Sequence, residues 1–276
     1  MKMEKNIKQV VREEYAKIAI QDGSCCCGSA SSCCGNDNAA QVMSKAIGYS
    51  DIEMNAVPEG ANLGLGCGNP VAIASLKEGE VVLDLGSGAG FDCFLAANAV
   101  GNKGKVIGVD MTPEMIARAR ENADKGGYTN VEFRLGEIEN LPIPDSRVDV
   151  IISNCVVNLS PEKSRVFAEA YRVLKPGGRV MVSDIVLLKT LPDEVRNSIE
   201  AYVSCIAGAA LKDEYIEAMK LVGFQDIEIV GETPLSFEYS PTVQVEDKAK
   251  GMSAQLVNVM VTDSVVSMKI SAVKPG

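Results

Sequence analysis

The stretch Val81-Val82-Leu83-Asp84-Leu85-Gly86-Ser87-Gly88-Ala89-Gly90 constrains this chain more than any other. It reads as a short buried strand running into a glycine-rich turn, then into a helix opened by Phe91-Asp92-Cys93-Phe94-Leu95-Ala96-Ala97. That succession is the first β-turn-α of a doubly wound parallel sheet, where a nucleotide-like ligand lies over the carboxyl end of the strand. Glycine lets the backbone turn sharply and approach a ligand closely, because no Cβ intervenes. Twenty residues after Gly90, the apolar run Val106-Ile107-Gly108-Val109 ends in Asp110, an acid placed to accept hydrogen bonds from ribose hydroxyls.

The glycine spacing narrows the ligand. A dinucleotide fingerprint, G-x-G-x-x-G/A, would put its third small residue at position 91, which is Phe91. The observed spacing is G-x-G-x-G, preceded by Asp84, with no Lys or Arg in the turn to meet phosphate charge. An uncharged-tail nucleoside fits better than a dinucleotide. The pattern resembles the first motif of the class I S-adenosylmethionine methyltransferases, which implies a Rossmann-like α/β fold and S-adenosylmethionine as cofactor.

The chain's 276 residues suit one large α/β domain with extensions, and an apolar content of 46% is enough for a full core. A formal charge of -10 argues against a nucleic acid partner, whose affinity comes largely from basic contacts. Residues 1–18 mix Lys, Glu and Arg throughout, so no secretory segment is expected, and no apolar run approaches a membrane span. A cytoplasmic location with reduced cysteines is the simple expectation. The sequence contains no histidine, so chemistry here proceeds without the usual general base near neutral pH.

Along the chain, Ile7, Val10, Val11, Tyr15 and Ile18 fall at helical spacing over residues 4–19, and Asp22-Gly23 would end that helix. Cys25-Cys26-Cys27 and Cys33-Cys34 follow in a glycine- and serine-rich loop suited to thiol chemistry. Residues 1–57 are expected to form an amphipathic helix and cysteine-rich loop acting as a lid. Residues 58–276 would be the catalytic domain. Strands and helices alternate from 81 onward, the pattern of a mostly parallel sheet. Thr112 and Pro113 open a helix closed by Gly126-Gly127, and strands are expected at 131–135, 148–153 and 179–186. Gly136-Glu137-Ile138 lies at a strand end suited to reading an adenine. Ser160-Pro161 starts a helix whose stripe includes Val166, Phe167, Ala170, Val173 and Leu174, stopped by Lys175-Pro176-Gly177-Gly178. An inserted helix over 192–210, within a helical insert at about 190–211, would contain Cys205. A helix over 213–221, a strand over 225–230 and a last, antiparallel strand over 265–273 complete the reading; 233–264 is poorly patterned.

Three isolated cysteines stand out: Cys67 in the loop 61–70, Cys155 just past the fourth strand with Asn154, and Cys205 in the insert. Open α/β sheets bind ligands outside the carboxyl ends of their strands, which places Cys155 there on topology alone. Packing competes as an explanation for each, since free cysteine is often buried. Their contexts, Gly64-Leu65-Gly66-Cys67-Gly68-Asn69-Pro70, Ser153-Asn154-Cys155-Val156-Val157-Asn158-Leu159 and Ser204-Cys205-Ile206-Ala207-Gly208-Ala209, together with Gly108-Val109-Asp110-Met111-Thr112-Pro113-Glu114-Met115, resemble the arsenite S-adenosylmethionine methyltransferases. The resemblance runs from about residue 10 to 230. It implies arsenic(III) held by Cys67, Cys155 and Cys205, with a further cysteine among Cys25 to Cys27 or at Cys33 or Cys34. It also implies cofactor contacts from Tyr15, Asp84, Gly86, Ser87, Gly88, Gly90, Asp110, Met111, Glu137, Ile138 and Asn154. The partners it implies are arsenite or its thiol conjugates and thiol reductants such as thioredoxin or glutathione. The family's Tyr-Tyr-Gly appears here as Glu14-Tyr15-Ala16.

The chemistry is coherent with these residues. Trivalent arsenic is soft and suits sulfur ligands. A free thiol is only roughly 3% thiolate at pH 7, so binding must release protons. Arsenic held by three thiolates keeps a lone pair that needs no base to attack a sulfonium methyl. Alignment of the two partners can supply roughly 7–11 kcal/mol of barrier reduction. Two other readings stay open: a methyltransferase acting on carbon or oxygen of a small metabolite such as a quinone precursor, with Glu137 or Tyr15 as base, and a non-catalytic binder of arsenic or soft metals.

Overall fold

The computed structural model describes residues 2–20, 36–234 and 264–276. Seven strands form one sheet: β1 (Val81–Leu85), β2 (Lys105–Asp110), β3 (Val131–Leu135), β4 (Val148–Asn154), β5 (Leu174–Leu187), β6 (Gln225–Pro234) and β7 (Val265–Val273), in the order β3-β2-β1-β4-β5-β7-β6. The first five run parallel, and β7 lies antiparallel between β5 and β6. The chain reverses direction across the sheet between β1 and β4, the crevice where open α/β sheets bind ligands.

Strand parity divides the core. Leu83 and Leu85 face one way, onto α7 (Lys163–Val173) and α10 (Lys212–Leu221) through Val166, Phe167, Tyr215 and Met219. Val82 and Val106 face the other way, onto α5 (Phe91–Val100) and α6 (Pro113–Gly126) through Phe94, Ile116 and Ala119. Both faces are thus covered, as near-continuous apolar parallel strands require. Gly127 ends α6 in the left-handed conformation, with its N–H and that of Tyr128 closing on Asp124 and Ala123. The Thr112 side chain makes no capping bond; the residue caps by backbone geometry alone, ahead of Pro113.

Three segments depart from the sequence reading. The helix expected from Ser160-Pro161 begins at Lys163, after a 3₁₀ turn over Val157–Leu159. Leu174 belongs to β5 and not to the helix stripe; it pairs with Val148, and β5 continues through Lys175-Pro176-Gly177-Gly178. Proline at 176 drives its predecessor toward extended backbone, so the residues that stop the helix start the strand. The insert is two short helices, α8 (Asp193–Arg196) and α9 (Ile199–Val203), rather than one. Cys205 lies in the turn after α9, at φ 64°, and not in a helix.

The N-terminal helix is α1 (Lys2–Ile20); its expected stop at Asp22-Gly23 and the cysteines 25–34 lie outside the described residues. Helices α2 (Asn36–Ala46), α3 (Asp51–Asn55) and α4 (Pro70–Ile73) precede the sheet. A capping box of Ser50 and Glu53 starts α3. The poorly patterned segment contributes the end of β6, to Pro234; residues 235–263 are outside the description. Among the described residues, no helix is long and apolar enough to cross a membrane.

Candidate active site

The turn after β1 lines a cleft at the crevice between β1 and β4. Its atom-free space, open mouth included, is about 1030 Å³. Gly86 and Gly88 adopt φ of 68° and 51°. A Cβ at Gly86 would sit 2.2 Å from Val156 Cγ2, whereas one at Gly88 would meet no protein atom within 4 Å. The first glycine packs against the neighbouring strand end; the second leaves space on the cleft side.

Asp110, at the end of β2, ties this turn to the next. One carboxylate oxygen accepts from the Gly88 N–H at 2.9 Å and the other from the Thr112 N–H at 2.8 Å. Burial pushes its pKa up, against the pull of those two N–H groups. Each oxygen retains a lone pair for a ligand hydroxyl. Ser87 Oγ is buried without a partner, and such orphaned groups are rare in folded proteins. Asp84, Asp92, Asp110 and Glu139 line the cleft against a single cation, Lys8. With Asp84 held protonated and Glu139 paired to Lys8, Asp92 and Asp110 keep the lining acidic, which suits a ligand with positive groups and no phosphate. Asp84 is itself buried at 2% exposure; burial drives its pKa well up, and the Cys93 thiol donates to it at 3.2 Å.

Tyr15, Asp84, Gly86, Ser87, Gly88, Asp110, Met111, Ile138, Asn154 and Cys155, all singled out in the sequence, line this cleft. Two of the expected cofactor residues do not. Gly90 caps α5, and its missing Cβ makes room for Phe94 and Phe133, so it serves packing. Glu137 points away, to Lys8 at 3.1 Å and Arg12 at 3.2 Å on α1. Glu139, two residues on, is the acid that lines the cleft; it is 4% exposed and takes Lys8 at 2.8 Å and the Ser160 hydroxyl at 2.5 Å. Lys8, Val11 and Tyr15 bring α1 across the cleft, and Arg118 holds the end of α1 by donating to the Ala19 carbonyl at 2.9 Å.

The cysteines gather on the β4–β5 side. Cys67 donates its backbone N–H to the Asn154 side-chain oxygen at 3.0 Å and its thiol to the Ser183 carbonyl at 3.4 Å. Asn154 Nδ2 in turn faces the Gly68 carbonyl, Tyr49 Oη and Asp92. The flanking glycines permit this approach: a Cβ at Gly66 would lie 2.7 Å from the Asn154 amide, and one at Gly68 would lie 2.6 Å from Ser183 Oγ. The sulfurs of Cys67 and Cys155 and a carboxylate oxygen of Asp184 lie within 4.8 Å of one another. Cys205 donates its thiol to the Cys155 carbonyl at 2.9 Å. Cys67 and Cys205 are buried, while Cys155 keeps part of its surface on the cleft.

All three thiols are held protonated at neutral pH. Burial raises Cys67. The neighbouring Cys155 sulfur, then burial, raise Cys205. Cys205 pulls Cys155 down, but Cys67 and burial outweigh it and leave Cys155 well above the usual thiol range.

Asp184, on β5, escaped the sequence reading. It has no exposed surface and accepts from Asn158 Nδ2 at 2.8 Å, the Ile185 N–H at 3.0 Å and the Tyr215 hydroxyl at 3.1 Å. Burial pushes its pKa up to about 7, against Lys163 and Tyr215. The available signal is a polar pair, Ser183-Asp184, interrupting the apolar run 180–187 near the strand's carboxyl end.

Comparison with known proteins points the same way. Residues 76–223 match the family model described as a methyltransferase domain. An arsenite methyltransferase of Halobacterium salinarum is 52% identical over 80% of this chain and 58% of its own length. One from Aquipseudomonas alcaligenes is 41% identical over 68% of this chain and 56% of its own. The chain thus spans somewhat over half the length of these curated relatives. The crystal structure of an arsenic(III) S-adenosylmethionine methyltransferase from Chlamydomonas reinhardtii superposes with a TM-score of 0.62 and 35% identity, covering 86% of this chain and 73% of that one.

Proposed function

Since the chain belongs to the arsenite methyltransferase family within the S-adenosylmethionine-dependent methyltransferases, we propose that it methylates trivalent arsenic bound by Cys67, Cys155 and Cys205. The observation that carries this reading is the convergence of residues 67, 155 and 205 beside a cleft whose glycine turn and Asp110 suit a nucleoside. The cofactor supplies a methyl group already activated by the sulfonium charge. Asp110 would accept the ribose hydroxyls, Ser87 would offer its unpartnered hydroxyl, and the acidic lining of the cleft would favour the cofactor's positive groups.

Arsenite, free or as a thiol conjugate, exchanges onto the three cysteines. Each arsenic–sulfur bond to the protein forms as a bond to hydroxyl or to the carrier thiol breaks, and the cysteine proton leaves on that departing group. Three protonated thiols therefore add no net charge to a buried site, which suits their raised pKa values. The arsenic lone pair then takes the methyl, and the electrons of the broken carbon–sulfur bond return to the cofactor sulfur. Holding the two partners in line is the protein's main contribution.

We further propose that α1 and the cysteine-rich segment after it act as a lid, supported by Lys8, Val11 and Tyr15 on the cleft. The reaction belongs in the cytoplasm, where thiols stay reduced; methyl transfer leaves the arsenic pentavalent, and glutathione or thioredoxin supplies the two electrons that return it to the trivalent state, its own thiols leaving as a disulfide. The test is serine substitution at Cys155 and at Cys205. Each should abolish arsenite methylation, followed by chromatography with arsenic detection, while calorimetric binding of S-adenosylmethionine persists. Normal methylation by both variants would overturn the assignment.

A further inference from the structure

An arsenic site of three thiolates has no use for a carboxylate, yet a carboxylate stands among the sulfurs. Asp184 has no exposed surface, and one of its oxygens lies within 4.8 Å of the sulfurs of both Cys67 and Cys155. We propose that Cys67, Cys155 and Asp184 form a binding site for a thiophilic divalent cation of the zinc class, held by two thiolates and one carboxylate. Nothing in this inference requires that the chain methylate arsenic.

The donor set matches that class. Zinc and its congeners take sulfur at about 2.3 Å and carboxylate oxygen at about 2.0–2.2 Å in a tetrahedron, which sets ligand atoms roughly 3.8 Å apart. Three atoms already within 4.8 Å of one another need only small side-chain movement to close on the ion. The two thiol protons, and the Asp184 proton where the carboxyl carries one, leave to solvent as the ion arrives, giving a centre with two thiolates and a carboxylate. The Lys163 ammonium, whose field acts on Asp184, offsets the remaining negative charge.

The second layer is that of a ligating carboxylate. Asn158 and the Ile185 N–H hold one oxygen of Asp184, and Tyr215 holds the other. Outer partners of this kind fix a carboxylate's orientation and strengthen metal sites. A water molecule supplies the fourth position.

The experiment uses the full-length chain with Cys25, Cys26, Cys27, Cys33 and Cys34 changed to serine, so that those thiols add no metal binding. Titration with Co²⁺ should give the visible bands of a tetrahedral centre, and Cd²⁺ a thiolate charge-transfer band at one ion per chain. Adding Cys67→Ser or Cys155→Ser should remove both signals. Asp184→Asn should keep the cadmium charge transfer at saturation but lower the affinity for Zn²⁺ by about tenfold or more. An octahedral cobalt spectrum in the parent protein overturns the proposal without any further variant. So does a charge-transfer band that survives Cys67→Ser, or an Asp184→Asn affinity within twofold of the parent. Arsenite enters no arm of this test, so its outcome is separate from that of the methylation assay.

Discussion

The thiol of Cys205 donates to the carbonyl oxygen of Cys155 at 2.9 Å, and the two residues hold left-handed backbone at φ 64° and 61°. Such backbone costs an L-residue with a Cβ roughly 1–2 kcal/mol. Strain of this kind persists where surrounding structure fixes it and clusters at functional sites. Here the fixing bonds are the Cys155 N–H to the Ser183 carbonyl at 2.8 Å and the Cys205 N–H to the Tyr202 carbonyl at 2.9 Å. Two strained turns, remote in sequence, thus set the Cys205 thiol against the Cys155 backbone.

That strain gives a stability signature. Cys155→Gly should be more stable than Cys155→Ala by about 1 kcal/mol, reversing the usual order of these residues, because only glycine adopts φ 61° freely. Urea denaturation of the two variants checks it; equal midpoints or a more stable alanine variant would contradict the backbone argument.

Asp184 should make the protein lose stability as pH rises from about 4 to about 7. The unfolded chain releases this proton near the ordinary 3.8, while burial holds it to about 7 in the fold. Between those values the folded state binds more protons than the unfolded one, so ∂ΔG/∂pH is negative. The full swing is on the order of 4 kcal/mol. Asp184→Asn should therefore gain stability relative to the parent across this window, read from thermal midpoints at a series of pH values. A constant difference would refute the placement of this proton.

The two glycines of the turn should separate folding from binding. Gly86→Ala forces a Cβ to 2.2 Å from Val156 as well as into strained φ, so it should destabilise the fold by about 3 kcal/mol. Gly88→Ala meets no protein atom, so its stability loss should be limited to about 1 kcal/mol of backbone strain. Its main effect should be weaker S-adenosylmethionine binding, by tenfold or more on a rough scale of 1.4 kcal/mol per decade. Calorimetric titration and melting of both variants distinguish the two effects.

Lys8 holds α1 to the body of the protein through Glu139, which is 4% exposed, and Glu137. Lys8→Ala leaves Glu139 with only the Ser160 hydroxyl and should loosen α1 by about 2 kcal/mol, below the full cost of breaking a buried pair because Lys8 keeps some solvent contact. Hydrogen exchange should quicken across α1 and stay unchanged in β1 and β4; uniform quickening would mean that α1 is not a separately docked element.

Much of this fold was legible because its signals are local. The apolar run 81–85, the glycine spacing and Asp110 each fix a backbone event within a few residues, and β1 and β3 fall where the sequence put them. Cys155 was legible from topology, since residues just past a strand's carboxyl end lie at the ligand edge. Other features depend on partners far along the chain. Whether Glu137 or Glu139 faces the cleft is decided by α1, because Lys8 and Arg12 draw Glu137 aside. Asp184 reads as a blemish in a strand until Tyr215 and Asn158 arrive to hold it. The sequence places Cys205 in a helix because small and apolar residues around it carry no turn chemistry; its left-handed φ is imposed by tertiary packing.

The antiparallel strand β7 also sets an order of assembly. Ser267, within it, donates its hydroxyl to the Cys67 carbonyl at 2.6 Å, across 200 residues of sequence. On the ribosome, every strand that frames the nucleoside cleft has emerged long before residue 267 is made. The loop carrying Cys67 gains its brace only when β7 slots between β5 and β6. A nascent chain would thus acquire its cofactor cradle before its thiol trap, so a soft metal ion met while β7 is still unmade finds no finished cage.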